Sequence, residues 1–162
     1  MGGRWTTKGI ITNEKILSVL LFHEPSSPLR ALRQALRGQG VETREVQTCQ
    51  ETVRLLAGAE PPELVFTDTQ LPDGNWADVV RLAEESPAPV NVIVVSRVVD
   101  VPFYVETLQS GAFDFIAPPF EPAGLAHIVR VAAGNVASRR QRLGRTSRAP
   151  KTDPEQLELP AA

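Results

Sequence analysis

Five times along this chain, a short apolar segment suited to a buried strand is followed by a segment with the spacing of an amphipathic helix. The clearest of these strands runs from Val90 to Val95 and is rich in β-branched residues. Parallel strands need such crossovers between them, and helices then cover both faces of the sheet. The alternation therefore predicts an α/β fold around a five-stranded parallel sheet, with strands at residues 16–22, 41–46, 64–67, 90–95 and 113–116.

Length and composition are those of one globular domain with a sizeable core. The chain has 162 residues, of which 42% are hydrophobic and 22% are charged. No apolar run approaches the roughly 20 residues that span a bilayer, and the amino terminus lacks the apolar core of a signal peptide. We therefore expect a cytoplasmic protein without a membrane partner. The single cysteine, Cys49, excludes an intrachain disulfide and a cysteine-based metal cluster.

The two ends of the chain differ in composition from its middle. Residues 1–13 are polar, rich in glycine and without period, which predicts a flexible arm before a domain at residues 14–137. Residues 138–162 are polar, first basic and then acidic, and predict a disordered tail. Because the basic part has no interleaved aromatic residues and no helix-turn-helix follows it, we expect no nucleic-acid partner.

Polar side chains follow three of the predicted strands at the point where each strand ends. Asp68 comes directly after the third strand and before the turn-forming residues Pro72-Asp73-Gly74, while Ser96 follows the fourth strand. His23 and Glu24 follow the first strand. In an open α/β sheet, ligands bind at the carboxyl ends of the strands, so these residues form the candidate site.

Two motifs carry a resemblance to a known family. They are Asp68 with Leu71-Pro72-Asp73-Gly74, and the run Ser110-Gly-Ala-Phe-Asp-Phe-Ile-Ala-Pro-Pro-Phe120. At this spacing they resemble the receiver domain of two-component response regulators, over about residues 15–137. The resemblance implies a flavodoxin-like, doubly wound fold of five βα units with the strand order 2-1-3-4-5.

The resemblance also implies roles for the residues at the strand ends. Asp68 would be the phosphoacceptor, taking a phosphoryl group from a histidine kinase or a phosphotransfer protein. Ser96 would supply the switch hydroxyl that hydrogen-bonds this group, and Phe115 would be the aromatic side chain that changes rotamer with it. Mg²⁺ would be held by the carboxylates of Glu24 and Asp68 and by the backbone carbonyl of Gln70.

The output that the resemblance implies is a change in a protein surface. This surface would consist of the fourth helix, the fifth strand and the last helix, and a downstream protein partner would bind it. The resemblance also leaves open the formation of a homodimer through the same surface. Since the only chemistry expected is self-phosphorylation and self-dephosphorylation on Asp68, the chain is not expected to be an enzyme.

The metal-binding pair departs from the pattern of this family. His23 stands in place of the first acid; a neutral imidazole lowers the negative charge that holds Mg²⁺, and a protonated one repels the ion. Glu24 is one methylene longer than the usual aspartate, which moves its carboxylate. His23 is therefore left open as a metal ligand, with a hydrogen-bonded loop residue as the alternative.

The position of the family's lysine departs as well. Pro118 occupies it, and proline has neither the charge nor the donor that would neutralise a phosphoryl group. No lysine lies between Lys15 and Lys151, so no shift of register supplies one. Arg97, directly after Ser96, is the nearby candidate for a replacement cation; the alternative is that it hinders access to the site.

These departures leave two functions open. One is a single-domain response regulator that is phosphorylated on Asp68; the other is a degenerate pseudo-receiver that binds proteins without a phosphoryl cycle. A phosphatase with Asp68 as nucleophile needs a second carboxylate two residues on, where this chain has Gln70. A nucleotide-binding domain is disfavoured because residues 23–28 offer no glycine-rich phosphate cradle.

Overall fold

The structure is a computed structural model that describes residues 6–7, 10–11 and 15–148, with side chains described for residues 15–146. In the range 15–148, the main sheet consists of β1 (Ile16–Leu21), β2 (Val41–Val46), β3 (Leu64–Thr67), β4 (Asn91–Val95) and β5 (Asp114–Ile116). The helices that alternate with these strands are α1 (Leu29–Leu36), α2 (Cys49–Leu56), α3 (Trp76–Glu84), α4 (Val101–Gln109) and α5 (Pro122–Arg148). No helix of the described part is both long and apolar enough to cross a membrane.

All neighbouring strands of the main sheet run parallel, in the order β2-β1-β3-β4-β5. The fold class and the strand order expected from the sequence are thereby confirmed. Thr67 of β3 pairs with Leu21 of β1 on one side and with Val94 of β4 on the other. This register brings the carboxyl ends of the three central strands to the same edge of the sheet.

Two apolar cores lie on the two faces of the sheet, because successive side chains of a strand point to opposite faces. Leu20 packs in the core that α1 and α5 cover, and its neighbour Leu21 packs in the core that α2 and α3 cover. Both side chains are fully buried, as is Phe66 in β3. Each such burial contributes about 2 kcal/mol, so the central strands form a rigid support for the loops at their ends.

Local signals fix several helix ends. Thr48 caps α2 and Asp100 caps α4, each side chain accepting the backbone N–H three residues on at 3.1 Å. Gly111 lies two residues after the last residue of α4 and has a φ of 109°. L side chains rarely adopt this positive φ, so the backbone conformation at this position favours glycine.

The last helix is longer than the sequence predicts. We placed residues 138–148 in a disordered tail, but α5 continues through them to Arg148. The polar composition of this segment suits a helix surface that faces solvent, and composition alone does not distinguish such a surface from a tail. Residues 149–162 lie outside the part of the chain that the structure describes.

Two arginines hold the start of this extension against the amino-terminal edge of the sheet. Arg139 donates to Asn91 Oδ1 at 2.9 Å, at the first residue of β4. The Arg140 guanidinium donates to three backbone carbonyls in the loops that precede β3 and β4. These are the carbonyls of Pro62 (2.8 Å), Pro89 (3.0 Å) and Pro61 (3.4 Å). Tertiary contacts thus account for the helix continuing past residue 137.

The amino-terminal arm also differs in part from the prediction. Thr6–Thr7 and Ile10–Ile11 pair as short antiparallel strands, although we expected residues 1–13 to be without regular structure. All four residues are β-branched, which favours an extended backbone. The other residues of the arm lie outside the described part of the chain.

Candidate functional site

The carboxyl edge of the sheet gathers residues from three neighbouring strands. Asp68 follows β3 directly, and its backbone N–H donates to the carbonyl of Leu21 in β1 at 2.9 Å. Ser96 follows β4, and its backbone N–H donates to the carbonyl of Ile116 in β5 at 2.9 Å. Asp68 therefore lies between the loop after β1, which carries Glu24, and the loop after β4.

The two carboxylate oxygens of Asp68 differ in their surroundings. Oδ1 accepts the backbone N–H of Thr69 at 2.7 Å. Among the described residues, no hydrogen bond or ion pair reaches Oδ2. The side chain is only partly buried, so this second oxygen is accessible from the edge of the sheet. One oxygen is thus fixed by the backbone while the other is available as a nucleophile or a ligand.

The segment after β3 is a hairpin whose tip caps a neighbouring helix. Gln70–Leu71 pairs antiparallel with Gly74–Asn75. At the tip, the Asp73 carboxylate accepts the backbone N–H of Cys49 at 2.8 Å and that of Gln50 at 3.1 Å, at the start of α2. These bonds, that of Cys49 foremost, hold the pKa of Asp73 below its usual value. The sequence indicated a turn here and missed this cap, which depends on a helix 24 residues away.

Close packing explains the glycine of the hairpin. A Cβ on Gly74 would lie 2.7 Å from an Asp78 carboxylate oxygen and 3.1 Å from Cys49 Sγ. Asp78 and Asn75 form a reciprocal capping box at the start of α3. Burial, and after it the negative charge of Asp73, raises the pKa of Cys49 to about 11. The thiol therefore stays protonated at neutral pH and acts as a packing side chain.

The hydroxyl of Ser96 is placed to donate a hydrogen bond. The residue is buried, and its Oγ accepts the backbone N–H of Val98 at 3.5 Å. Among the described residues, Ser96 Oγ donates to no acceptor. The hydroxyl proton can therefore be directed to an oxygen that arrives at this edge of the sheet.

Phe115 belongs to an aromatic cluster that runs from α3 to the outer side of α4. Its buried ring meets Phe103 and Tyr104 edge to face, with ring centroids 5.5 Å and 5.8 Å apart. Phe103 in turn meets Trp76 at 5.6 Å. The backbone N–H of Trp76 donates to the Thr69 carbonyl at 3.2 Å, one residue from the candidate phosphoacceptor. Neither Trp76 nor Phe103 was among the site residues predicted from the sequence.

Arg97 crosses from the loop after β4 to the loop after β1. Its guanidinium donates to the Ser26 carbonyl at 3.2 Å and to Ser26 Oγ at 3.3 Å. It also forms an ion pair with the Glu24 carboxylate at 3.5 Å. In the part of the chain that the structure describes, Arg97 makes no hydrogen bond or ion pair with Asp68. The candidate replacement cation thus contacts the candidate metal ligand rather than the candidate phosphoacceptor.

The residues at this edge do not fit a Mg²⁺ site as they stand. Asp68 and the Gln70 carbonyl supply oxygens of the kind that the ion prefers, but the Glu24 carboxylate is paired with Arg97. His23 is exposed and makes no hydrogen bond to the described residues. Over these residues, no three side chains of His, Cys, Asp or Glu are grouped so that they could hold a metal ion.

The loop after β5 supplies no positive charge. Pro118 and Pro119 are exposed and joined by a cis peptide bond. Residues 110–126 contain neither lysine nor arginine. The charge that the family's lysine would bring to the edge of the sheet is therefore not replaced from this loop.

Comparison of the sequence with known proteins gives a family match. Residues 19–130 match the family described as response regulator receiver domain. The KDP operon transcriptional regulatory protein KdpE of Escherichia coli (strain K12) is 34% identical over 116 residues, which cover 71% of this chain and 50% of that protein. The chain spans half or less of the length of the curated relatives that it matches.

Solved structures share the fold at lower identity. The receiver domain of the sensor histidine kinase PA1611 of Pseudomonas aeruginosa PAO1, described with magnesium in its active-site cleft, is 21% identical with a TM-score of 0.60, over 72% of this chain and 97% of that one. A receiver domain protein of Methanospirillum hungatei JF-1 is 20% identical with a TM-score of 0.59, over 76% of this chain and 98% of that one. At this identity, the similarity shows the fold alone.

Proposed function

We propose a function from the premise that this chain belongs to the response regulator receiver domain family of two-component systems. Receiver domains are signalling modules rather than enzymes, and they interact with histidine kinases and downstream effectors. We propose that this chain accepts a phosphoryl group on Asp68 from a histidine kinase or a phosphotransfer protein. It would turn over no separate substrate, and its proposed location is the cytoplasm.

The observation that carries this proposal is the state of the Asp68 carboxylate. Oδ1 is held by the Thr69 N–H at 2.7 Å, while Oδ2 has no partner among the described residues. The carboxylate lies at the centre of the carboxyl edge, with Ser96 at the end of the neighbouring strand. A fixed carboxylate with one free oxygen, beside a hydroxyl that can donate, suits an acceptor of phosphoryl groups.

The proposed transfer uses three groups of this chain. Asp68 Oδ2 attacks the phosphorus of a phosphohistidine; the P–O bond forms as the P–N bond breaks, and the electron pair of the broken bond stays on the imidazole of the donor. The Thr69 N–H keeps Oδ1 in place during the attack. The Ser96 hydroxyl then donates to a phosphoryl oxygen and so moves towards it.

The proposed output is a change on the surface formed by α4, β5 and α5. Movement of Ser96 would reach α4 through Phe115 and its contacts with Phe103 and Tyr104. The outer side of α4 and the loop before it expose apolar side chains, which favours a protein partner. These side chains are Val98, Val99, Val101 and Val105. A downstream protein, or a second copy of this chain, is the proposed occupant.

The proposed receiver domain extends further than the sequence indicated. We propose that it runs from residue 14 to at least Arg140, because the contacts of Arg139 and Arg140 tie this part of α5 to the sheet. Since these two arginines contact protein groups, the basic segment has fewer free charges than its composition suggests. Nucleic acid is therefore not among the proposed partners.

Intact-mass spectrometry tests the proposal after incubation with Mg²⁺ and acetyl phosphate. We expect a phosphoryl adduct on the parent and none on Asp68→Asn. Asp114→Asn is the matched control, because Asp114 Oδ1 accepts the N–H of the next residue at 2.7 Å, as Asp68 Oδ1 does. An adduct on Asp68→Asn, or loss of the adduct in both variants, would contradict the assignment of Asp68. A parent that stays unmodified is tested again with a histidine kinase as donor.

A second candidate is a pseudo-receiver that binds its partner without phosphorylation. Two observations favour it: Pro118 supplies no charge, and Glu24 is paired with Arg97. In this case no donor modifies Asp68, and Asp68→Asn captures the same partner as the parent in a pull-down. Loss of the partner in Asp68→Asn would exclude this function.

A further inference from the structure

The hairpin that follows Asp68 is too short to hold its own position. Its strands, Gln70–Leu71 and Gly74–Asn75, have two residues each, and Pro72 and Asp73 form the turn between them. A two-stranded hairpin without further support is marginally stable at best in water. The position of this hairpin therefore depends on its contacts with the rest of the domain.

These contacts lie at the base and at the tip of the hairpin. At the base, the backbone N–H of Trp76 donates to the Thr69 carbonyl at 3.2 Å, and the side chain of Trp76 is buried. At the tip, Asp73 Oδ1 accepts the N–H of Cys49 at 2.8 Å and Oδ2 accepts that of Gln50 at 3.1 Å. These donors belong to the first turn of α2, where backbone N–H groups lack partners within the helix. The tip is thus fixed to the start of α2.

Thr69 connects the hairpin to the carboxylate of Asp68. Its carbonyl takes part in the base of the hairpin, and its N–H donates to Asp68 Oδ1 at 2.7 Å. Because Oδ2 has no partner among the described residues, this N–H sets the rotation of the carboxylate. A hairpin that tilts about its base rotates the peptide plane between residues 68 and 69, and the carboxylate loses its fixed orientation.

We propose that Asp73 is a positioning residue for the phosphoacceptor. By fixing the tip of the hairpin to α2, Asp73 holds the Thr69 N–H on Asp68 Oδ1 and keeps the orientation in which Oδ2 attacks phosphorus. Within the described residues, Asp73 makes no hydrogen bond or ion pair with Asp68, so it acts through the hairpin. This inference rests on the proposed function, because it takes Asp68 as the acceptor of the phosphoryl group.

The chain offers a matched control for a purely structural role of Asp73. Thr48 caps the same helix by accepting the N–H of Glu51 at 3.1 Å, and Thr48→Ala leaves the bonds of Asp73 in place. Asp73→Ala frees the tip of the hairpin, whereas Asp73→Asn keeps an acceptor oxygen for one of the two N–H groups. If Asp73 does no more than stabilise α2, then Asp73→Ala and Thr48→Ala should behave alike.

The amide proton of Thr69 reports its hydrogen bond to Asp68 without any phosphodonor. In ¹H–¹⁵N NMR spectra of the full chain, we expect this proton to move upfield in Asp73→Ala. It should keep the parent position in Thr48→Ala and lie close to it in Asp73→Asn. An unmoved Thr69 amide in Asp73→Ala, or an equal movement in Thr48→Ala, would overturn the inference.

The rate of adduct formation on Asp68 is the second measurement, by intact-mass spectrometry over time with Mg²⁺ and acetyl phosphate. We expect Asp73→Ala to react roughly fivefold more slowly than the parent, the factor that one lost hydrogen bond to Oδ1 corresponds to. Thr48→Ala should react at the parent rate. Equal rates in Asp73→Ala and the parent also contradict the inference. A parent that no donor modifies contradicts the proposed function instead, and the Thr69 amide then decides by itself whether Asp73 positions the carboxylate.

Discussion

At the scale of single residues, positive charge at this site lies in a different place from the one that the family pattern provides. Pro118 brings no charge to the loop after β5, and residues 110–126 contain no basic side chain. Arg97 brings a guanidinium to the loop after β4 but directs it to Glu24 and Ser26. A phosphoryl group on Asp68 would therefore meet the Ser96 hydroxyl without a fixed cation from the fifth strand.

Restoring the lysine should strengthen phosphoryl transfer. We expect Pro118→Lys to accelerate adduct formation on Asp68 roughly tenfold, since a charge-assisted hydrogen bond to the transferred group supplies about 1.4 kcal/mol. The rate is measured by intact-mass spectrometry over time with acetyl phosphate and Mg²⁺. Pro118→Gln is the control, because it removes the proline without adding charge. Equal rates for the lysine and glutamine variants would show that the missing charge is not the limiting factor.

Asp73 gives a prediction about pH. The N–H groups of Cys49 and Gln50 lower the pKa of the Asp73 carboxyl in the folded protein. The ionised carboxylate therefore stabilises the fold fully at pH values above the pKa that Asp73 has in the unfolded chain. This stabilisation declines as the pH falls through the lowered pKa of the folded state. We expect Asp73→Ala to lose about 1 kcal/mol of unfolding free energy at pH 7, as a lost helix cap does. Urea unfolding should show this loss shrinking below about pH 4.

The neighbouring cap provides the comparison for that measurement. Thr48→Ala removes an uncharged cap from the same helix, so its cost should stay constant over the same pH range. A loss in Asp73→Ala that is equally independent of pH would mean that the charge of Asp73 does not contribute to the cap.

At the scale of elements, α3 and α4 differ in how firmly they are held. α3 buries four side chains, Trp76, Val79, Val80 and Ala83, whereas Thr107 is the buried residue of α4. Phe103 attaches α4 to the core only as a partly buried ring. The helix with the fewest buried contacts opens most easily, which suits an element that changes its surface in signalling.

Hydrogen exchange should register this difference. We expect the backbone amides of α4 to exchange roughly tenfold faster than those of α3, since a gap of about 1.4 kcal/mol in opening free energy gives this ratio. Asp100→Ala removes the cap of α4 and should accelerate its exchange further, by about fivefold, while leaving α3 unchanged. Similar exchange in the two helices of the parent would contradict this account of α4.

At the scale of the whole molecule, the extension of α5 contacts the edge of the sheet that lies opposite the site. Arg139 reaches the first residue of β4, and Ser96 follows the last residue of the same strand. Arg140 contacts the loops that lead into β3 and β4. The two strands that carry Asp68 and Ser96 are thus tied at their other ends to α5, which keeps the helix and the sheet together as one unit.

Arg140 should therefore matter for global stability. We expect Arg140→Ala to lower the free energy of unfolding by about 2 kcal/mol, because three partly buried carbonyls lose a charged donor. Arg142→Ala is the matched control: this residue is exposed, and its loss should cost less than about 0.5 kcal/mol. Urea denaturation of both variants measures the difference. Equal stability would mean that the contacts of Arg140 do not stabilise the fold.

Much of this protein was determined by its sequence through patterns that act over a few residues. Alternating apolar strands and amphipathic helices predicted the parallel sheet, and the segments around Asp68 and Phe115 identified the family. Thr48 and Asp100 fixed helix starts through bonds to backbone groups three residues on. Such signals are local, so they can be recognised before the chain is folded.

Only the tertiary structure decided which groups at the strand ends contact each other. The cap from Asp73 to Cys49 joins residues 24 apart, and the pair of Arg97 with Glu24 joins residues 73 apart. The hydrogen bond from Arg140 to the Pro62 carbonyl joins residues 78 apart. It holds part of α5 against the sheet, in a segment that composition alone assigned to a disordered tail. The strength of each contact depends on strand order, register and loop shape. Strand order, register and loop shape are not encoded in the two residues of a pair. The contact of Arg97 with Glu24 therefore follows from the fold, which places β1 and β4 on either side of the strand that leads to Asp68.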